Sequence, residues 1–263
     1  MRFNVTLRVN GNVLGRKLPL NYQYELSAAV YRILSCKDRD FASWLHENGF
    51  QTGKGKTFKL FVFSRLFPER YRIIPQTNQI ELLSDRVEWQ IGFLPEKSTQ
   101  QFIEAVFQNC VFEVGNRQSA VQFEMCGLQL LPSPDFSETM TFDTLSPVSV
   151  SQKDELLRDC YPQTCEEFKT ASWVKERMLH NLVDKFEAFN GRPFEGERFF
   201  DFETTTDPKS SLVTIKAGTP QETKVRGFMC QLALHCPKEL MRIAYECGLG
   251  EGNGQGFGCL RVV

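Results

Sequence analysis

Six glycines, Gly248, Gly250, Gly252, Gly254, Gly256 and Gly258, are crowded near the C-terminus in the segment GLGEGNGQGFGCLRVV (248–263). Nothing else in the chain restricts the fold as sharply. Glycine loses more backbone entropy on ordering than any other residue, about 0.5–1 kcal/mol relative to alanine inside a regular element. A folded chain keeps such a run where the backbone must turn tightly or lie close against something. Before the run, Pro237 can open a helix carrying Leu240, Ile243 and Ala244; after it, Cys259–Val263 reads as a strand. A glycine loop that leads from helix to strand reverses the dinucleotide-binding arrangement. The GxGxxG registers fail at Asn253, Gln255 and Cys259, and no GxxxxGK[ST] sequence is present, so a nucleotide cofactor is not expected. A glycine backbone can still bring N–H groups close to phosphates, which makes a polyanion the expected ligand. The competing reading is a tight entry into the last strand and nothing more.

The rest of the chain supplies the frame for that loop. Phe3, Val5, Leu7 and Val9 alternate with polar residues, a strand with one buried face. Gly11–Pro19 reads as a loop. Residues 22–34 read as a helix with Leu26, Ala29, Val30, Ile33 and Leu34 on its apolar stripe. Asp38 can cap a second helix, Gly49 can end it, and Phe41, Trp44 and Leu45 are expected to pack inward. Phe58–Phe63 is strand-forming, with Lys59 on the face of Phe61 and Phe63. Further strands are expected near 70–74, 79–83 and 87–93. A helix bearing Phe102, Ile103, Val106 and Phe107 follows, then a strand through Val121, Phe123 and Met125.

This order of strand, helices, strands, helix and strand is the split β-α-β plan of a ferredoxin-like domain. The second half repeats it loosely. A strand interrupted by Pro147 spans about 142–150, a long helical region 166–189, and strands lie near 198–205, 212–217 and 223–234, ahead of the Pro237 helix. The expected fold class is α+β: two tandem ferredoxin-like (RRM-like) domains with antiparallel sheets and packed helices. The boundaries are 1–130 and 140–263, joined by the proline-bearing linker 131–139.

Composition bounds the partners. The nine cysteines include no CxxC pair and the three histidines are far apart in sequence, so no metal site is expected. No window is apolar enough to cross a membrane, and the N-terminus does not read as a signal peptide, so the expectation is a cytoplasmic protein. The net charge is −1, but residues 1–72 hold 13 Lys/Arg against 5 Asp/Glu and residues 73–263 hold 18 against 27. A basic surface on a neutral molecule follows. Arg16, Lys17, Lys54, Lys56, Lys224 and Arg226 are the candidate phosphate contacts, each of which alone is an ordinary surface charge.

The segments 18–34, 41–50, 58–66, 142–150, 224–228 and 248–263 together closely resemble the CRISPR repeat-processing endoribonuclease family. That family lies within a repeat-associated RNA-binding superfamily built on ferredoxin-like domains. The resemblance implies a nuclease that cuts precursor CRISPR RNA within its repeats, with no metal or cofactor, and leaves a guide RNA with a short 5′ handle. It matches the family's catalytic tyrosine to Tyr31, its histidine to His46 and its lysine to Lys59. It also implies that the loop Gly248, Gly250, Gly252, Gly254, Gly256, Phe257 and Gly258 approaches RNA. Precursor CRISPR RNA and mature guide RNA are the implied partners, with CRISPR effector subunits and a second copy of the chain left open. The rival reading is a guide-RNA-binding subunit of an effector complex that does not cut. Such a subunit keeps the glycine loop and KVRGF (224–228) and is expected to lack the Tyr31, His46, Lys59 arrangement. Metal-dependent phosphoryl transfer would need clustered carboxylates, and Asp38, Asp40 and Glu47 are the closest approach to them here.

Overall fold

The computed structural model describes residues 1–107, 111–155 and 158–263; the side chains of Val106 and Phe107 lie outside the described residues. The first half runs β1 (Arg2–Val9), α1 (Gln23–Ser35), α2 (Arg39–Glu47), β2 (Phe61–Pro68), β3 (Arg86–Phe93), α3 (Glu96–Phe107), β4 (Val111–Gly115) and β5 (Ala120–Leu131). Its antiparallel sheet has the order β2–β3–β1–β5–β4, with Val5 opposite both Trp89 and Leu128. Phe3, Val5, Leu7 and Val9 enter the core, as their alternation requires. Leu26, Val30 and Ile33 of α1 and Phe102 of α3 cover that face of the sheet.

The second half runs β6 (Thr139–Thr144), α4 (Ser172–Asn190), β7 (Asp201–Thr204), β8 (Lys209–Ile215), β9 (Thr223–Met229), β10 (Gln231–His235), α5 (Lys238–Cys247) and β11 (Leu260–Val262). Its sheet has the order β7–β10–β6–β11. Leaving out the edge strand β4, both sheets read second–third–first–fourth, the order of a ferredoxin-like fold. Both halves also insert a hairpin between their second and third strands. In the first half Tyr71–Ile74 pairs with Gln79–Leu82; in the second, β8 pairs with β9.

Several local expectations are corrected. Gly11–Pro19 contains a helical turn, Gly11–Leu14, and a strand, Lys17–Pro19, that pairs with Gln79–Leu82. The helical region of the second half is two helices, Cys165–Thr170 and α4, broken at Ala171, which is extended. The strand expected over 223–234 divides around Cys230, and its two parts join different sheets. Trp44 is not inward: it is 38% exposed, while Phe41 and Leu45 on the same helix are buried. The caps behave as their chemistry dictates. Asp38 accepts the Phe41 N–H at 2.8 Å, and Gly49, at φ +69°, donates to Trp44 O.

The halves are pinned together by a buried cation. Arg2 is 2% exposed, and its guanidinium donates to Tyr245 O, to Leu260 O at 3.0 Å and to Cys259 Sγ at 2.8 Å. It also lies 4.5 Å above the Tyr245 ring. Leu60 from the first half packs in the core of the second, and Val62 packs on Leu145 and Cys259. No helix among the described residues is long and apolar enough to cross a membrane.

Candidate functional site

A cleft of about 570 Å³ opens between the halves. Tyr24, Ser27 and Tyr31 of α1, His46 of α2 and Lys59 line it from the first half; Asn181, Lys185 and the glycine loop line it from the second. Tyr24, Ser27 and Tyr31 share a helix face through their i, i+3, i+7 spacing. The rings of Tyr31 and His46 meet edge to face, 4.9 Å between centroids and at 85°. Phe61 supports Tyr31 from the other side at 5.7 Å. His46 is exposed to the cleft in the last turn of α2.

Lys59 reaches this pair because the strand expected over 58–63 is broken. Leu60 adopts φ +52°, an uncommon conformation for a branched residue, and turns into the second core. The alternation is lost at that point, and Lys59 swings to the end of α2, where its Nζ donates to His46 O at 2.7 Å. A cation at a helix C-terminus is favourable to both the free carbonyls and the helix dipole. Burial lowers the Lys59 pKa from its usual value and raises that of the Tyr31 phenol above its own. Tyr31 is therefore a protonated donor throughout the neutral range.

The glycine run explains itself largely through packing. Leu249 donates to Gly258 O and Gly258 to Pro147 O, and the Asn253 amide donates to Leu249 O and Phe257 O. Gly258 (φ +73°) and Gly250 (φ +72°) occupy the left-handed region, and a Cβ on them would overlap the carbonyl oxygens of Leu249 and Ser149. Gly248, Gly250, Gly256 and Gly258 are buried, and Phe257 is a core residue packed with Val213 and Ile215 of β8. Only the tip faces the cleft, with Gly252 and Gln255 exposed and Gly254 partly so. Ser27 Oγ of α1 holds the tip by donating to Gly254 O at 2.6 Å.

Helix α4 presents Arg177, Asn181 and Lys185, each four residues apart, and Arg177 and Lys185 hold the loop from beneath. Arg177 pairs with Glu251 at 2.7 Å, and Glu251 also accepts from Ser151 Oγ at 2.7 Å. Lys185 donates to Gly248 O at 2.7 Å and Gly250 O at 2.9 Å. Burial pushes its ammonium pKa down to about 8. Asn181 is buried, and its Oδ1 has no hydrogen-bond partner.

Of the six basic residues expected on RNA, Lys56 lines the cleft; it pairs with Asp184 at 2.8 Å and lies over the Phe58 ring. Lys54 stands exposed on the turn beside it, between Phe50–Gln51 and Thr57–Phe58. The other four do not line the cleft. Arg16 bonds to Leu82 O and pairs with Asp85, and Lys17 is exposed on its short strand. Lys224 is exposed on β9, and Arg226 donates to Ser210 Oγ at 3.0 Å. The sequence reading missed Tyr24, Ser27, Asn181, Lys185 and Lys216, all of which line the cleft. The one available signal was the polar i, i+4, i+8 stripe of α4, which lies beside the buried Val174, Met178 and Leu182. Among the described residues, no three His, Cys, Asp or Glu side chains gather closely enough to hold a metal ion.

Fold and cleft together define a duplicated ferredoxin-like protein with a glycine-loop cleft between its halves. The family profile "CRISPR-associated protein Cas6, N-terminal" matches residues 17–123, and "CRISPR associated protein Cas6, C-terminal" matches residues 131–262. The chain belongs to the Cas6 family of CRISPR-associated proteins, which takes part in CRISPR RNA processing. It is 25% identical over 247 residues to the CRISPR-associated endoribonuclease Cas6 1 of Methanocaldococcus jannaschii, covering 92% of this chain and 85% of that one. It is also 25% identical over 252 residues to a Pyrococcus horikoshii protein named as endoribonuclease-like, Cas6nc, covering 94% and 93%. Among solved structures, the product of a Cas6-related gene from Pyrococcus furiosus superposes with a TM-score of 0.79 at 22% identity, covering 100% of this chain and 98% of that one. An RAMP protein binding different RNA substrates superposes at 0.78 and 24% identity, covering 100% and 99%. At these identities the superpositions speak for the fold.

Proposed function

We propose that the cleft binds CRISPR repeat RNA and that Tyr31, His46 and Lys59 cleave it without a metal. The observation that carries the reading is the convergence of these three side chains on one cleft, opposite the tip of the glycine loop. RNA carries its own nucleophile, the 2′-OH, beside each phosphodiester. When that oxygen is held in line with phosphorus it attacks, the P–O5′ bond breaks, and the products are a 2′,3′-cyclic phosphate and a 5′-OH. One proton leaves the 2′-OH and one arrives at the 5′ oxygen. His46 serves one end of this transfer, because imidazole can both accept and give up a proton in general acid–base catalysis. Tyr31 donates a hydrogen bond that orients the 2′-OH or the phosphate. Lys59 gives one of its three protons to His46 O and keeps two for the non-bridging oxygens, where negative charge grows.

A second reading, a guide-RNA-binding subunit that does not cut, draws on the relative named endoribonuclease-like and on the RNA-binding RAMP neighbour. The test is cleavage of repeat RNA in EDTA by wild type and His46→Ala, with end-group analysis. One cut leaving a cyclic phosphate, lost in His46→Ala, supports the nuclease. Tight specific binding without a cut by wild type supports the binding subunit instead.

A further inference from the structure

A buried charge with no opposite charge beside it is costly to keep. Lys185 is such a charge. It is 2% exposed, and the two groups it bonds, Gly248 O and Gly250 O, are neutral. The carboxylate that acts on it, Glu251, is bonded to Arg177 and Ser151 instead. Of its other electrostatic neighbours, Cys247 on α5 favours the charged amine and Lys56, itself paired with Asp184, opposes it. Burial is the largest influence and brings the amine within reach of titration near pH 8. The bonded carbonyls lie on the arm of the loop that leads from α5 to the exposed tip, so the ammonium fixes where that tip stands. Asn181, one turn earlier on α4, adds a buried acceptor with no partner to the same cleft floor.

We propose that Lys185 is a positioning residue of the glycine loop: its ammonium holds the loop arm and, from beneath, places positive charge under the tip, so that RNA at the tip and the protonated amine stabilise each other. The proposal rests on the reading that the cleft binds RNA. In the low-dielectric interior such a charge acts at longer range than a solvated surface lysine. A polyanion stabilised in this way takes up a proton on binding wherever the free amine is partly neutral. Part of the positive field of the cleft therefore comes from a side chain almost wholly withdrawn beneath its floor.

The experiment uses the whole 263-residue chain carrying His46→Ala, which blocks cleavage of the probe. The probe is a labelled synthetic RNA of one CRISPR repeat. Its affinity is measured from pH 7 to pH 9 with Lys185 intact, as Lys185→Arg and as Lys185→Met. Hydrogen exchange of residues 248–258 is measured in the free proteins. With Lys185 intact, affinity is expected to fall about five- to tenfold more across that range than in Lys185→Arg, whose guanidinium does not titrate there. Lys185→Met is expected to bind weakly at every pH and to lose loop protection, and Lys185→Arg to keep much of both. Equal pH slopes with Lys185 and with Arg overturn the charge coupling. Unchanged loop protection in Lys185→Met overturns the positioning role. Absence of RNA affinity in every variant, with protection lost only in Lys185→Met, defeats the RNA reading itself and leaves the hold on the loop in place.

Discussion

The two halves share one four-strand order, to which the first adds the edge strand β4, and they use their connections differently. In the first half, the connection between the first and second strands holds α2 and a short hairpin, which bring His46 and Lys59 to the cleft. In the second half that connection holds α4, whose Arg177 and Lys185 support a loop from beneath. The link from the last helix shows the reverse emphasis. After α5 it is the glycine loop; after α3 the chain instead adds the edge strand β4, which pairs with β5. Sheet order is fixed by burial and strand pairing, whereas function resides in segments the sheet leaves free. The first half presents titratable side chains to the cleft, and the second a shaped backbone held from beneath by a buried lysine.

The strongest challenge to this division is His46→Ala. Loss of a proton-transfer group is expected to cut the cleavage rate about 10²–10⁴-fold, with repeat-RNA affinity within about twofold of wild type. Comparable loss from a substitution confined to the loop tip would show that the halves do not divide the work as argued. Next, Lys59→Met is expected to lower cleavage about 10²-fold by removing charge stabilisation at phosphorus. The pH dependence has a defined sign. Because burial lowers the Lys59 pKa, its charged form, and the rate it supports, is lost as pH rises through a value below that of a free lysine. Lys59→Arg is expected to move that alkaline limb upward in a pH–rate profile.

The loop is tested by stability. Gly258→Ala, which drives a Cβ into the Leu249 carbonyl at positive φ, is expected to cost about 3 kcal/mol in denaturant unfolding. Gly254→Ala meets only ordinary contacts and is expected to stay within about 0.5 kcal/mol. Equal stability of the two variants would contradict the packing account of the glycine run. The smallest effect is expected on the outer face of the second half. Lys224→Ala should weaken RNA binding by a few-fold at most and reduce the salt slope of log affinity by about one if Lys224 meets a phosphate. An unchanged slope removes it from the RNA path.

Part of the site is legible only through the family resemblance: it matches Tyr31, His46 and Lys59 to catalytic groups, and the fold brings the three side chains to one cleft, where their roles are the proposal made above. The loop was identified as special, yet Phe257 and four of the six glycines are buried. A glycine run reports tight backbone passage and is silent about what lies against it. Lys185 was invisible because a lysine on an amphipathic helix ordinarily faces water. Helical spacing with Phe41 and Leu45 predicts Trp44 inward, but it is 38% exposed and its ring meets Phe50 of the neighbouring hairpin edge-on at 5.2 Å.

The sequence by itself determined what depends on near neighbours: the alternation that buries Phe3, Val5, Leu7 and Val9, the Asp38 and Gly49 caps, and the glycine run between α5 and β11. Each follows from backbone sterics and side-chain periodicity within a few residues. Only the tertiary structure decided which charges are buried and where they lead. Arg2 pins the halves through carbonyls more than two hundred residues away in the chain, Leu60 breaks its strand to enter the other core, and Lys185 reaches the loop. Burial and dielectric are set by everything that packs around a group, and no short stretch of sequence carries that information.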